Sequence, residues 1–130
     1  GSLKILLPRV QSGGRAVLSE SFKKLGFDVI EVAAYQSECP NNMPENTAIS
    51  FSNKLVDAII FTSGKTVLNT HKLLSNRFNR KFDHLLKEVK IISIGPQTSN
   101  ACINYFKRVD KEANPHSLEG LISASIDLLS

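Results

Sequence analysis

Cysteine is scarce in this sequence, in which only Cys39 and Cys102 occur, far apart and without a CxxC spacing. The sequence also lacks a signal peptide and any apolar run of the length that crosses a membrane. These absences argue against a membrane partner and predict a soluble protein in a reducing, cytoplasmic setting. Gly1 and Ser2 are interpreted as a cloning remnant, so the natural sequence is expected to start near Leu3.

A dense run of one charge is also missing. Lys and Arg number 16 against 12 Asp and Glu, which gives a net charge of +4. This mild excess favours an acidic small molecule over nucleic acid as the partner, because nucleic-acid binders present a strongly basic stripe. Residues 76–84 (NRFNRKFDH) interleave basic and aromatic side chains. We interpret them as an amphipathic segment with a solvated basic face.

The sequence contains none of the common phosphate signatures. There is no GxGxxG motif, and the GGRA stretch lacks the spacing of a P-loop. A phosphoacceptor domain would need acidic residues after its first and third strands. Pro8-Arg9 and Thr62-Ser63 stand there instead. Nucleotide binding by these routes and a receiver function are therefore excluded.

Histidine and cysteine do not suggest a reactive centre. His71, His84 and His116 are not spaced as metal ligands, and we expect all three at the surface. Cys39 is expected to be a loop thiol and Cys102 a small packed helix residue, neither with an evident base partner. We predict no metal site and no cysteine nucleophile.

Four short apolar runs alternate with amphipathic stretches. Near-continuous hydrophobicity predicts strands that are covered on both faces, as in a parallel sheet. The runs are Leu3 to Pro8, Phe27 to Ala34, Asp57 to Thr62 and Val89 to Ile94, with a brief edge strand near Val109. Helical spacing predicts helices at 16–25, 66–74, 99–106 and 117–129. This order predicts a flavodoxin-like three-layer α/β sandwich with a mainly parallel sheet of four to five strands.

Three strand-to-helix turns contain glycines and hydroxyl side chains: RVQSGGRA (9–16), FTSGKT (61–66) and SIGPQT (93–98). Ligands bind such sheets at the carboxyl ends of the strands, where helix N-termini present unpaired N–H groups. Ser63 is expected to cap its helix, and Pro96 suits the first helical position. Gly64 and Gly95 are expected to let the backbone turn and approach an anion. Each turn alone is ordinary for an α/β protein, but three at one edge favour an anion site.

The order of these motifs resembles a known enzyme family. The stretches LPRVQSGGRAVLSESFKKLGFDVIEVAAYQS, DAIIFTSGKTV, IISIGPQTSNA and HSLEGLISA are similar to the second half of uroporphyrinogen-III synthase. That enzyme closes the tetrapyrrole ring in haem, sirohaem and chlorophyll synthesis. The resemblance covers nearly all of residues 3–130, and it depends on the order and spacing of motifs that are not specific one by one.

The resemblance implies a substrate and a reaction. The family acts on hydroxymethylbilane, a linear tetrapyrrole with acetate and propionate side chains, from which it removes water while the last pyrrole ring inverts. It implies no metal and no organic cofactor. Much of the catalysis would be positioning by helix N-termini, with a hydroxyl group as a general acid.

The resemblance also implies roles for individual residues. Tyr35 matches a tyrosine near the family's cleft that assists loss of the substrate hydroxyl, and Thr98 matches a residue that lines the same cleft, so both are predicted to be catalytic. Gly64 and Lys65 replace the family's usual Pro-Ser, and Gln97 stands where threonine is frequent. The predicted substrate-binding residues are Ser63, Gly64, Lys65, Thr66, Gly95, Pro96 and Gln97.

Family members are about twice as long and hold the substrate between two similar domains. Residues 3–130 are expected to form one domain, with a possible hinge at 36–46 and with a second domain or a homodimer completing the cleft. By the family pattern, residues 3–34 and 57–130 would fall in different domains, which leaves segment exchange across a dimer open. Two functions remain: a synthase or an inactive half of one, and a non-catalytic module that binds an acidic ligand or a partner protein.

Overall fold

The computed structural model describes residues 3–9, 17–34, 43–79 and 82–129, in which strands and helices alternate. The strands are β1 (Lys4–Arg9), β2 (Asp28–Ala33), β3 (Ala58–Phe61), β4 (Lys90–Ser93) and β5 (Lys111–Glu112). The helices are α1 (Val17–Lys24), α2 (Glu45–Ser52), α3 (Gly64–Phe78), α4 (Phe82–Leu85), α5 (Pro96–Phe106) and α6 (Leu118–Leu129).

The strands form one parallel sheet in the order β2-β1-β3-β4-β5. The chain builds the sheet outward from β1, first to one side and then to the other. This is the flavodoxin order, which confirms the predicted fold class, and it has its switch point between β1 and β3. The residues before the predicted hinge and those after it contribute strands to the same sheet.

Alternate strand residues face two separate cores, because successive side chains of a strand point to opposite faces. One core lies under α2, α3 and α5, and the other lies under α1 and α6. The first takes Leu6, Ile59, Phe61 and Ile91 from the strands, and the second takes Ile5, Leu7, Ala58, Ile60 and Ile92. Burial on both faces explains why these strands appear in the sequence as continuous apolar runs.

Two helices begin earlier than their apolar periodicity predicts. α3 begins at Gly64 and not at Thr66, and α5 begins at Pro96 and not at Ser99. The first turn of each helix is polar, so it adds nothing to an apolar pattern. The N-cap residues Ser63 and Gly95 mark the starts of α3 and α5 instead.

The edge strand lies just after its predicted position at Val109. Val109 packs against the core under α3 and α5. The Asp110 carboxylate accepts the N–H of Ile91 at 2.7 Å, and the N–H of Asp110 donates to the Ile91 carbonyl at 2.8 Å. Asp110 thus joins the edge strand to β4, and the pairing of β5 begins with Lys111 opposite Ile92.

Two predicted segments are only partly described. Of the hinge at 36–46, residues 36–42 lie outside the described residues, and the last two begin α2. In the segment 76–84, Phe78 and Phe82 are buried while the Arg77 side chain is 43% exposed, as expected for an amphipathic segment. Residues 80–81 lie outside the described ranges.

His71 does not have the predicted surface role. It is half-buried on α3, and its ring centroid lies 5.2 Å from that of Phe82 and 5.4 Å from that of Phe106. Tyr105 is a third neighbour at 5.6 Å. Phe82 follows α3 and Phe106 ends α5, so this aromatic cluster lies far along both helices from their N-termini.

We expect the stability of the protein to depend on the protonation of His71. Burial lowers its pKa from 6.5, an effect that Asp83 opposes and Lys107 reinforces. The neutral form is therefore favoured in the folded state. This contribution to the free energy of unfolding is complete above pH 6.5 and is lost as the pH falls through the lower folded pKa.

The variant His71→Phe keeps an aromatic ring but cannot titrate, so the free energy of unfolding should fall less steeply on acidification. Urea unfolding of both proteins at a series of pH values on either side of 6.5 measures this difference. Parallel pH profiles for the two proteins would contradict the prediction.

We expect Gly120→Ala to destabilise α6. The N–H of Gly120 donates to Ser117 Oγ at 3.1 Å, which confirms Ser117 as the start of the helix. A Cβ on Gly120 would fall inside the van der Waals radius of the Pro115 carbonyl oxygen, a backbone atom that cannot rotate away. The free energy of unfolding should drop by about 1–3 kcal/mol in urea. The exposed Ser123→Ala on the same helix is the control, and equal stability of both variants would refute the steric argument.

Candidate functional site at the carboxyl ends of the strands

The turns that follow β3 and β4 are neighbours. Phe61 pairs with Ser93, and the N–H of Ile94 donates to the Phe61 carbonyl at 3.1 Å, so the two strands end at the same level. The helices that follow are also in contact, because a Cβ on Gly64 would lie only 3.6 Å from the Cβ of Ala101 in α5. The N-termini of α3 and α5 therefore lie side by side at the carboxyl edge of the sheet.

Ser63 and Thr66 close the start of α3. Ser63 Oγ accepts the N–H of Thr66 at 3.2 Å, and Thr66 Oγ1 donates to the Ser63 carbonyl at 2.7 Å. The prediction that Ser63 caps this helix is confirmed. Thr66 is fully buried, Ser63 and Gly64 are partly exposed, and Lys65 is exposed. A ligand at this turn would meet Ser63, the backbone of Gly64 and the ammonium group of Lys65.

The start of α5 is built differently. Gly95 is its N-cap, Pro96 follows at the first helical position as expected, and no side chain of the described residues caps this helix. The first-turn N–H groups of Gln97 and Thr98 thus have no side-chain acceptor. Pro96 and Gln97 are exposed, whereas Thr98 is only 5% exposed.

Neither glycine is required by the conformation of its turn. Gly95 has an extended backbone with φ of −175°, which any residue can adopt, and a Cβ there would make an ordinary contact of 3.5 Å with His116. Gly64 would likewise accept a Cβ at 3.6 Å from its neighbour. The turn at Gly95 could therefore form with another residue, and the expectation that Gly64 and Gly95 let the backbone approach an anion stays a prediction. Gly64 leaves partly exposed backbone at the start of α3, whereas Gly95 is buried.

Sequence reasoning missed a hydrogen-bonded chain beside α5. Ser99 Oγ lies 2.6 Å from Glu112 Oε1 and 2.9 Å from Ser93 Oγ, and both serines are buried. Glu112 Oε2 lies 3.4 Å from Nε2 of His116. The one available signal was a serine at the end of an otherwise apolar strand, followed by an acidic residue near the next strand.

The end of β2 is tied to α3. Asn69 Nδ2 donates to the Ala34 carbonyl at 3.0 Å, and Arg9 at the end of β1 lies 3.8 Å from the Glu31 carboxylate. Tyr35 follows Ala34 directly, but it lies outside the described residues, as does the glycine-rich turn at 10–16. The catalytic role of Tyr35 stays a prediction.

Reactive chemistry is sparse elsewhere in the described part of the chain. No three His, Cys, Asp or Glu side chains there group as metal ligands, and no described helix is long and apolar enough to cross a membrane. Cys102 is buried in α5, and burial raises its pKa to about 12, so this thiol is not a nucleophile near neutral pH. A cavity of about 410 Å³, lined by Asp83, His84, Lys87 and Arg108, lies at the amino edge of the sheet, away from the two helix N-termini.

Comparison with known proteins agrees with the motif order. The family model described as uroporphyrinogen-III synthase HemD matches residues 1–123. The uroporphyrinogen-III synthase of Synechococcus elongatus is 37% identical over 121 residues, which are 93% of this chain and 46% of that protein. A putative uroporphyrinogen-III synthase of Methanothermobacter thermautotrophicus is 36% identical over 97 residues, which are 73% of this chain and 38% of that protein.

A solved structure of Thermus thermophilus uroporphyrinogen III synthase shares the fold, with a TM-score of 0.54 at 13% identity over 99% of this chain and 52% of that one. This chain spans about half the length of the relatives it matches. Family model, sequence identity and sheet order agree, and the chain belongs to the uroporphyrinogen-III synthase family.

Proposed function

We propose that this chain forms part of an active uroporphyrinogen-III synthase, which cyclises hydroxymethylbilane to uroporphyrinogen III. The reaction is a lyase step of tetrapyrrole and haem synthesis, and we assign it to the cytoplasm. The observation that carries the proposal is that the turns 61–66 and 93–98 lie side by side at the carboxyl edge of the sheet in a member of this family.

The site binds the carboxylates of the substrate. Two adjacent helix N-termini present N–H groups and the positive ends of two helix dipoles, each of which stabilises a nearby anion by about 0.3–1 kcal/mol. The exposed Lys65 adds a cation at the first turn of α3. The acetate and propionate side chains of a folded tetrapyrrole supply several anions at once, so they can occupy both N-termini together.

The proposed cyclisation requires that hydroxymethylbilane lose its hydroxyl group. The C–O bond breaks as the leaving oxygen takes a proton and departs as water, and the last pyrrole ring then attacks the carbon that is left electrophilic. The Tyr35 hydroxyl donates this proton, and Thr98 lines the same cleft. Positioning supplies most of the acceleration, because a flexible linear chain must be held in a curled form before its ends can join.

A second domain or a second copy of the chain covers the open side of this edge. The proposal is supported by length, because this chain covers about half of its relatives. It is also supported by exposure, since Lys65, Pro96 and Gln97 are all exposed at the carboxyl edge. Closure over this face would exclude water from the reacting carbon.

We expect the chain alone to convert hydroxymethylbilane at no more than about one-hundredth of the rate of a complete synthase, because half of the positioning surface is missing. The assay separates product isomers with and without ring inversion by chromatography. It compares this chain alone, this chain mixed with the part of the Synechococcus elongatus relative that it does not cover, and that complete relative as the positive control.

Formation of the inverted isomer in the mixture supports the proposal. Full turnover by the chain alone would contradict the need for a second surface. Binding of the substrate without turnover in any mixture would identify a non-catalytic module.

We expect Thr98→Val to weaken binding of a polycarboxylate about tenfold, since it removes one hydroxyl at the first turn of α5 and keeps the shape of the side chain. NMR titration with uroporphyrin I, a macrocycle that bears acetate and propionate groups, gives the dissociation constant. Thr70→Val is the matched control, because Thr70 is fully buried in α3 and its hydroxyl has no hydrogen-bond partner among the described residues. Equal affinity of both variants would refute a role for the Thr98 hydroxyl.

A further inference from the structure

Four polar groups form a continuous chain from the start of α5 to β5. The N–H of Gly95 donates to Ser93 Oγ at 3.2 Å, Ser93 Oγ lies 2.9 Å from Ser99 Oγ, and Ser99 Oγ lies 2.6 Å from Glu112 Oε1. Ser93 is fully buried and Ser99 is 6% exposed, so water does not compete strongly for the contact between the two serines, whereas the Glu112 side chain is 37% exposed. Glu112 is the only member of the chain that carries a charge.

The charge of Glu112 decides the direction of the hydrogen bond to Ser99. A carboxylate only accepts, so Ser99 must donate its single hydroxyl proton to Glu112. Ser93 Oγ accepts the N–H of Gly95, and two acceptors lie within reach of its own proton, the Gly95 carbonyl at 2.8 Å and Ser99 Oγ at 2.9 Å. Ser93 therefore contacts the Gly95 backbone at both its N–H and its carbonyl, and Ser99 lies between Ser93 and Glu112.

Glu112 also holds the other side of the turn. Its Oε2 lies 3.4 Å from His116 Nε2, and the His116 side chain lies 3.5 Å from the point where a Cβ on Gly95 would stand. Glu112 is thus linked to the Gly95 backbone through the two serines and to the space above Gly95 through His116. Both routes end at the N-cap of α5.

We propose that Glu112 is a positioning residue that fixes the turn Ser93–Gly95 and thereby the aim of the N–H groups at the start of α5. This inference rests on the proposed function, because those N–H groups are the ones assigned to a substrate carboxylate. In this role Glu112 acts without contact to the substrate, and its effect passes through Ser99, Ser93 and His116.

Whether removal of Glu112 weakens or strengthens ligand binding distinguishes positioning from electrostatic repulsion. Glu112 is an anion near a site for anions, so its removal should strengthen carboxylate binding if only Coulomb repulsion acted. Positioning requires the opposite result. Glu112→Ala should weaken uroporphyrin I binding about fivefold, because the last acceptor of the chain is lost.

Two further variants identify the route. Glu112→Gln keeps an oxygen that accepts from Ser99 and removes the charge, so it should restore binding to the parent level or better. Ser99→Ala breaks the chain in the middle and should weaken binding as Glu112→Ala does. The double variant should be less impaired than the sum of the two single effects predicts, because both changes interrupt the same chain.

The experiment is an NMR titration with uroporphyrin I, together with measurement of hydrogen exchange at the Gly95 amide without ligand. Faster Gly95 exchange in Glu112→Ala and Ser99→Ala, with weaker binding, supports the inference. Glu88→Ala is the control, because Glu88 is an exposed carboxylate in the turn before β4 at the amino edge, and both readouts should match the parent.

Tighter binding by Glu112→Ala, or unchanged Gly95 exchange, would overturn the inference. If the parent shows not even weak binding of the probe, the proposed function fails, and the exchange measurement still decides whether Glu112 orders the turn. The two failures are therefore distinguishable.

Discussion

The arrangement of the site depends on the parallel pairing of β3 with β4. Because Phe61 lies opposite Ser93, both strands end at one level, and both chains then enter a helix from the same edge. Parallel strands always deliver their carboxyl ends to one side of a sheet, so two helix N-termini come together without any side chain having to connect them. Apolar burial on both faces keeps this register, since a shift by one residue would exchange the two cores.

The two edges of the sheet differ in their chemistry. At the amino edge, Asp57 accepts the N–H of Lys4 and Asp110 accepts the N–H of Ile91, both at 2.7 Å, so strand ends are closed by carboxylates. At the carboxyl edge, hydroxyl groups take this role at the starts of helices. Hydroxyls add no negative charge, which leaves the positive ends of the helix dipoles available to an anion. Glu112 is an exception, and its charge is used within the hydrogen-bonded chain.

Features that depend on local burial or on neighbouring residues could be predicted from the sequence. Contacts between separate helices and strands could not. The sheet was predictable because Ile59 and Ile91 belong to runs that are covered on both faces. The cap at Ser63 was predictable because its bond to Thr66 spans one helical turn. The contact of Ser99 with Glu112 joins a helix to a neighbouring strand through an irregular connection, and no periodic pattern reports it. The half-buried His71 was missed for the same reason, since its aromatic neighbours come from other helices.

The size of the helix-dipole contributions shows why the carboxyl edge of the sheet alone would bind an anionic ligand weakly. Two helix N-termini at about 0.3–1 kcal/mol each contribute roughly 2 kcal/mol at most, whereas micromolar affinity requires about 8 kcal/mol. The nearby cations do not close this gap, because Arg9 lies beside Glu31 and Lys65 is exposed to screening by salt. A polyacidic substrate has enough carboxylates to reach a second surface as well. In the proposed synthase, tight binding would therefore require a second surface that faces these helix N-termini, and the orientation of each N–H group would then matter more than additional charge.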